Sequence, residues 1–456
     1  MDSVITRVVR VAGGRFAPGH VGELTRIVSF EMVDAVLAEV GGRQRRVRDL
    51  PSRVVVYLLL AGALFADLGY GQVWARMTAG LGGLSVAAPT ASALAQARRR
   101  VGTAPLRALF DLFRGPAAGM ATKGVFWRGR LVCAFDGTTM CCPDTPANLR
   151  VFCKGGSNHG GTGYPMIRLL ALVACGTRTL IDATFGSTST GETTYAPHLV
   201  GALHRGMIVL GDRNFAAQAL ITAIAGTGAD LLIRTKSGRH LPVCRRLPDG
   251  TYVSRIGPVE VRVIQAEVRI ATSAGARSEA YQLVTTVLDP DHTAAEIVRL
   301  YHERWEIETA FLEVKQTILG GRVLRARTPA GIDQEIYALL VTYQALRIAI
   351  ADATLAAGLT AGDVDPDRAS FTIALNTARD QLIAAAGVIA DTVTDLVGVI
   401  GRHVLDNLMP ARRLRTTPRV VKRAISNYTV KTSTGRIRGP STTITIKIDI
   451  LVAADP

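Results

Sequence analysis

The sequence lacks an apolar run long enough to cross a membrane. Its longest, Val54 to Ala66, has 13 residues and stops at Asp67, whereas a spanning helix needs roughly 20. That length suits a buried helix. The opening residues, MDSVITRVVRVAGG, carry Asp2 early and no extended apolar segment, so no secretory signal is expected. CxxC pairs are missing too. The six cysteines (Cys133, Cys141, Cys142, Cys153, Cys175 and Cys244) stand apart from any paired spacing. A tetrahedral zinc site is therefore not expected, and the thiols read as reduced, as in the cytoplasm. No internal repeat and no clean helix-turn-helix pattern is evident.

Acidic residues are scarce beside basic ones: 37 Asp and Glu against 53 Lys and Arg, a formal net charge of +16. Such an excess speaks of partners rather than of fold. Nucleic acid is the commonest polyanion to match it. A membrane surface is the rival, disfavoured because no long basic amphipathic helix flanked by aromatics is present. With 456 residues the chain can hold two to four domains and at least one large core.

Three consecutive regions are expected. Residues 1–125 read as a helical N-terminal domain, with helical spacing from Leu24 to Val40 and a break at Gly41 and Gly42. A basic cluster follows (Arg43, Arg45, Arg46, Arg48), Pro51 opens the apolar helix, and a further helix ends in Arg98, Arg99 and Arg100. A DNA-binding module and a helical bundle with solvated arginines both fit this stretch.

Residues 126–345 change character. Leu131 to Asp136 is an apolar run ending in an acid, read as a buried strand with a carboxylate at its tip. A Gly-rich loop, Lys154 to Gly163, follows; His159 lies within it, but the Gly-Lys-Ser/Thr ending of a nucleotide cradle is absent. Strands are expected at Met166–Cys175 and Thr179–Phe185, a helix at Tyr195–His204, and a strand at Met207–Asp212, again ending in an acid. A helix at Phe215–Ala225 and a strand at Asp230–Thr235 complete the set. Three strands, helix, strand, helix, strand is the order of ribonuclease-H-like domains. In that layout Asp136 and Asp212 would lie side by side. From about 237 to 290 the pattern alternates with period two between turn signals, a β-rich insertion. A long helix is expected over Ala294–Thr317. Residues 346–456 read as a helical, basic C-terminal region for DNA contact or dimerisation. Its helices are expected at Ala369–Ala386 and Ile389–Asn407, and its basic run contains Arg412, Arg413, Arg415, Arg419, Lys422, Arg423 and Lys431.

The stretch from Tyr301 to Lys315 holds four glutamates, and helical phase separates them. With Tyr301 at zero and about 100° per residue, Arg304, Glu308 and Lys315 fall at about −60°, −20° and −40°. Trp305, at about 40°, flanks this face. Glu303, Glu306 and Glu313 fall at about 200°, 140° and 120°, on the opposite side. Glu308 is thus the one acid sharing a face with Tyr301, Arg304 and Lys315. The plainer alternative is an amphipathic helix whose glutamates make exposed pairs.

The spacing Y-x2-R-x3-E-x6-K, met by Tyr301, Arg304, Glu308 and Lys315, resembles the signature of insertion-sequence-four transposases. The resemblance extends to Asp136-Gly-Thr, to Gly211-Asp-Arg-Asn-Phe215, to the β-rich insertion, to the N-terminal helical region and to Pro418–Arg423 in the basic tail. It implies an α/β fold of ribonuclease-H-like type and a DNA transposase of the DDE type. Asp136, Asp212 and Glu308 would then be catalytic and metal-binding, holding two magnesium ions, with manganese as a substitute. Carboxylates without His or Cys partners suit such hard cations, and a pair of ions can clamp both oxygens of an in-line displacement. The resemblance further implies cut-and-paste transposition through hairpin ends, a homodimer on double-stranded DNA, and a cytoplasmic, nucleoid-associated protein with no membrane partner. Tyr301, Arg304, Lys315, Trp305 and Arg213 become the candidate DNA contacts: Arg by its fork, Lys as a point charge, Trp by stacking on a flipped base. A hydrolytic metal nuclease of the same fold and a catalytically silent, transposase-derived DNA-binding regulator remain alternatives.

Overall fold

The computed structural model describes residues 19–42, 48–81, 86–154, 163–236, 238–272, 275–361, 364–386, 397–410 and 444–451. The Gly-rich loop with His159, the arginines at 43, 45 and 46, and the basic run from 412 to 431 lie outside them. The chain divides into two compact units, Met1–Ala202 with Glu306–Ala411, and Leu203–Trp305 with Arg412–Pro456.

In the first unit the helix Ser52–Leu64 begins at Pro51 and buries every residue but Arg53. It therefore behaves as the core helix its length suggests. Around it stand the helices Phe30–Glu39, capped by Ser29 on the Met32 amide, and Ala91–Val101, capped by Thr90 on the Ala93 amide; a side-chain oxygen satisfies an otherwise orphaned N–H in each case. The same core takes in the 33-residue helix Pro329–Ala361, where the Thr342 hydroxyl donates to the Leu60 carbonyl at 3.3 Å. This helix is long and apolar enough to cross a membrane by length and composition, yet its most apolar stretch is 83% buried against protein. Residue 345 lies inside it, so the expected division between the second and third regions falls within one continuous element. The helix Phe371–Ile383 follows the expected segment. Of the stretch from Ile389, the described part is the helix Gly398–Asp406.

The first unit also holds an antiparallel sheet. Strand β1 (Phe126–Trp127) folds back on β2 (Arg130–Cys141) through Arg128 and Gly129, both at positive φ, as a two-residue hairpin turn requires. Strand β3 (Met166–Ala174) pairs antiparallel with β2, and β4 (Leu180–Ser187) with β3. Where one helix was expected over 195–204 there are two short ones, Glu192–Tyr195 and Pro197–Val200. Pro197 cannot donate to a preceding turn, so it starts a helix rather than continuing one.

The second unit is built on a mixed sheet. Strand β5 (Met207–Gly211) runs parallel to β6 (Asp230–Arg234), joined by a 3-10 turn, Arg213–Phe215, and the helix Gln218–Gly226. The insertion is β-rich as expected: β7 (Arg245–Arg246), β8 (Tyr252–Ile256), β9 (Val259–Thr272) and β10 (Gly275–Thr285) follow in antiparallel succession, and β10 returns to pair with β6. One strand departs from the helical C-terminal region expected. Ile444–Ile450 forms β11 on β9, and its alternation of isoleucine with Thr, Lys and Asp is the period of a half-buried strand. Three antiparallel strands followed by a parallel βαβ step is the chain order of a ribonuclease-H-like core, of mixed α/β class.

Candidate active site

Asp136 stands in the middle of β2, not at its tip. Asp136 faces Ala171 in the register, and pairing continues from Gly137 against Leu170 to Cys141 against Met166. The apolar run ends at Asp136, but the partner strand does not, and Thr138 and Thr139 are good strand formers. The carboxylate is half-buried, and its Oδ1 accepts the Gly137 N–H at 2.8 Å. Side chains two apart on a strand share a face, so Thr138 lies beside Asp136. The Lys315 ammonium donates to Thr138 Oγ1 at 3.0 Å. That bond lays the segment carrying Glu308 against the Asp136 face of β2, within the first unit.

The segment itself is not one α-helix. It runs as an α-helix over Ala294–Tyr301, a 3-10 turn over His302–Arg304, an α-helix over Trp305–Leu312 and a π-helical turn over Glu313–Ile318. It starts with a reciprocal capping box between Thr293 and Glu296. Glu308 and Lys315 are half-buried. Two glutamates of the opposite face, which the plainer alternative sets in exposed pairs, are instead tied into the protein. Glu306 Oε2 accepts from Arg178 Nε at 2.7 Å. Glu313, 5% exposed, takes Arg347 Nε on Oε2 at 3.0 Å and a second bond from the Arg347 guanidinium on Oε1. No sequence signal marks Arg178, Arg347 or Thr138 for these roles. Their partners are distant in the chain, and Arg178 sits in an ordinary strand-to-strand turn.

In the second unit, Asp212 directly follows β5, as expected. It caps the 3-10 turn, its Oδ1 accepting the Asn214 N–H at 2.8 Å. Arg213 is exposed and open to a partner. Tyr301 was expected to reach a phosphate. Instead it is buried at 6% exposure, and its hydroxyl donates to the Gly211 carbonyl at 3.2 Å, bracing the strand end that carries Asp212. Burial pushes its phenol well above the usual range, with the Asp212 and Tyr281 charges adding to the shift and Arg304 and Arg234 opposing it. Arg304 is also buried, its guanidinium 4.7 Å from the centre of the Trp305 ring and 6.0 Å from that of Tyr301. Trp305 is half-buried, so one face of its ring serves the protein through this cation–π contact.

The donor chemistry suits a hard divalent cation. The candidate ligands are carboxylates, and a main-chain N–H orients each aspartate. Among the described residues, no three His, Cys, Asp or Glu side chains form a ready-made metal group.

Comparison with known proteins adds an independent view. Residues 18–111 match the family described as "Insertion element 4 transposase N-terminal", and residues 127–344 match "Transposase DDE domain". The chain is 26% identical over 408 residues to transposase InsG for insertion sequence element IS4 of Escherichia coli (strain K12), covering 86% of this chain and 90% of that protein. It is 30% identical over 142 residues to the putative transposase InsZ of the same organism, covering 30% of this chain and 47% of the other. Among solved structures, a cryo-EM structure of piggyBac transposase in a synaptic complex with hairpin DNA aligns over 86% of both chains, at 11% identity and a TM-score of 0.44, a likeness too loose to assign a fold.

Proposed function

Since the chain belongs to the insertion element 4 family of DDE transposases, we propose that Asp136, Asp212 and Glu308 form its catalytic set, cutting double-stranded DNA at element ends and joining it to a target. The observation that carries this reading is the Lys315 bond to Thr138, two residues beyond Asp136 on the same strand face. It sets a cation on the strand face of one candidate acid and on the segment that carries another.

The three carboxylates would hold two magnesium ions, or manganese in their place, which when bound activate the attacking oxygen and stabilise the leaving one. The chain's own groups do the rest. The Gly137 and Asn214 amides fix the aspartate rotamers, so little reorganisation is needed during reaction. Lys315, held near β2, neutralises a phosphate as a point charge. Arg304, held over the Trp305 ring, would offer its fork to a phosphate. Exposed Arg213 supplies a further contact beside Asp212. Tyr301 acts through the backbone, holding Gly211 and hence the approach of Asp212. Water attacks first and leaves a 3′ hydroxyl, which then attacks the opposite strand, closing a hairpin, or the target DNA. Half-buried Trp305 would stack on a base flipped out at the hairpin. Two copies of the chain pair two ends, and the protein works on the nucleoid in the cytoplasm.

A plasmid carrying the DNA that flanks this reading frame on both sides tests the reading. With magnesium, the wild-type protein nicks it and transfers the 3′ ends. Asp136→Asn, Asp212→Asn and Glu308→Gln each bind the same DNA and leave it uncut. Cleavage by any of the three at the wild-type rate removes that residue from the set, and nicking without strand transfer by the wild type points to a hydrolytic nuclease.

A further inference from the structure

One buried ion cluster in the first unit grips the segment that carries Glu308. Arg178, in the turn between β3 and β4, donates from Nε to Glu306 at 2.7 Å and from Nη1 to Glu313 at 3.4 Å. Its remaining nitrogen pairs with Asp367. Arg347, on the helix Pro329–Ala361, grips Glu313 from the other side through two nitrogens. The Tyr343 hydroxyl lies 2.8 Å from the Arg178 carbonyl and 3.2 Å from Glu313 Oε2. Arg178, Arg347, Glu313 and Asp367 are all under 9% exposed. Arg178 also holds a left-handed backbone, φ 58°, a conformation that costs energy for any residue with a Cβ and persists where its surroundings impose it.

Such a cluster is a poor way to gain stability, because desolvation offsets most of the attraction and apolar packing would serve as well. What it supplies is direction. Glu306 and Glu313 are seven residues apart, two turns along one stripe of the helix. Arg178 binds both, so rotation of the segment about its own axis is fixed at two points. Glu308 and Lys315, also seven apart, form the stripe on the far side. The cluster meets the π-helical turn at its first residue, Glu313. There Leu319 N–H reaches the Val314 carbonyl at 3.2 Å, and turns of this kind gather at functional sites.

We infer that Arg178 is a positioning residue for DNA cleavage: through Glu306 and Glu313 it sets the direction in which Glu308 and Lys315 point. This rests on the reading of Glu308 as a catalytic acid. Arg178→Lys keeps the charge and loses the fork. Arg325→Met breaks a different ion pair, half-buried Arg325 with buried Glu335, and serves as a control for lost stability. Below the melting point of both variants, Arg178→Lys should bind the flanking-DNA plasmid as wild type does and cleave it about tenfold slower or worse, the scale for losing a group that orients a ligand. Arg325→Met should cleave near the wild-type rate. Hydrogen exchange of the free protein gives a readout without chemistry: Arg178→Lys should loosen amides 306–318 and leave 52–64 unchanged. Wild-type cleavage by Arg178→Lys overturns the inference, as does unchanged exchange at 306–318, or an equal loss of rate in Arg325→Met. Glu308→Gln run in parallel separates the two claims. If that variant cleaves, the site reading fails, and the exchange data still judge whether Arg178 holds the segment.

Discussion

Residues 305–318 carry two stripes that use the same acid to opposite ends. Glu306 and Glu313 face inward and are gripped by Arg178 and Arg347. Glu308, offset from Glu306 by two residues and about 200°, is half-buried, and Lys315, two turns further on, reaches Thr138 of β2. The first stripe has arginines delivered to it from the β3–β4 turn and from the helix Pro329–Ala361. The second includes Lys315, whose bond to Thr138 lies on the strand face of Asp136. Glu306 and Glu313 are tied to arginines from distant parts of the chain; Glu308 is the acid proposed for chemistry.

The largest expected effect breaks the outward stripe. Glu308→Gln should slow cleavage by at least about 10²–10³-fold, the scale for losing one preorganised electrostatic stabiliser. Its urea midpoint should stay near wild type, since a half-buried surface change rarely exceeds about 0.5 kcal/mol. Glu313→Gln breaks the inward stripe and leaves Arg347 buried without its counter-charge. A loss of about 3–5 kcal/mol is expected, read as a lower urea midpoint at unchanged m-value. Glu306→Gln touches the same stripe at its more open end and keeps Arg178 paired with Glu313 and Asp367. It should cost about 1–2 kcal/mol and slow cleavage less than Arg178→Lys does.

A pH effect is expected from one buried titrating group elsewhere in the first unit. His20 is fully buried, with Nε2 2.7 Å from the Met77 carbonyl and Nδ1 accepting the Gly22 amide at 3.2 Å. Burial lowers its pKa from 6.5 to about 4, the Met77 bond opposing the shift. The unfolded chain therefore binds this proton more readily than the folded one. Stability from the neutral ring is complete above pH 6.5 and is lost as the pH falls from there towards 4. Urea midpoints across that window should decline in the wild type and decline less in His20→Gln. Equal slopes would remove His20 as the cause.

Much of this architecture is legible in the chain, and the failures have physical causes. β3, β5 and β6 are built on apolar runs, interrupted in β3 by Arg168 and flanked in β6 by Asp230 and Arg234, and they form where the runs stand. Asp136 seemed to end a strand because polar residues follow it, but backbone pairing with β3 does not depend on polarity. The period-two pattern of β11 is plain once seen, yet it follows a basic stretch that drew the eye to helices. Helical phase singled out Glu308 without knowledge of neighbours. It had no means of seeing that Arg178 and Arg347 would bury the other face, because those contacts join residues 128 and 34 positions apart. Tyr301 and Arg304 share the expected face, but aromatic packing and the Gly211 carbonyl engage them first.

Inward acids that hold the segment and an outward acid proposed for chemistry should respond differently to loss of their charge. Glu308→Gln and Glu313→Gln, measured side by side for urea midpoint and for cleavage of the flanking-DNA plasmid, test it most directly. A crossed result is expected: Glu308→Gln folded as firmly as wild type and unable to cut, Glu313→Gln much less stable and, where folded, cutting more slowly than wild type but far faster than Glu308→Gln. A Glu308→Gln protein that cuts at the wild-type rate, or a Glu313→Gln protein of undiminished stability, would contradict it.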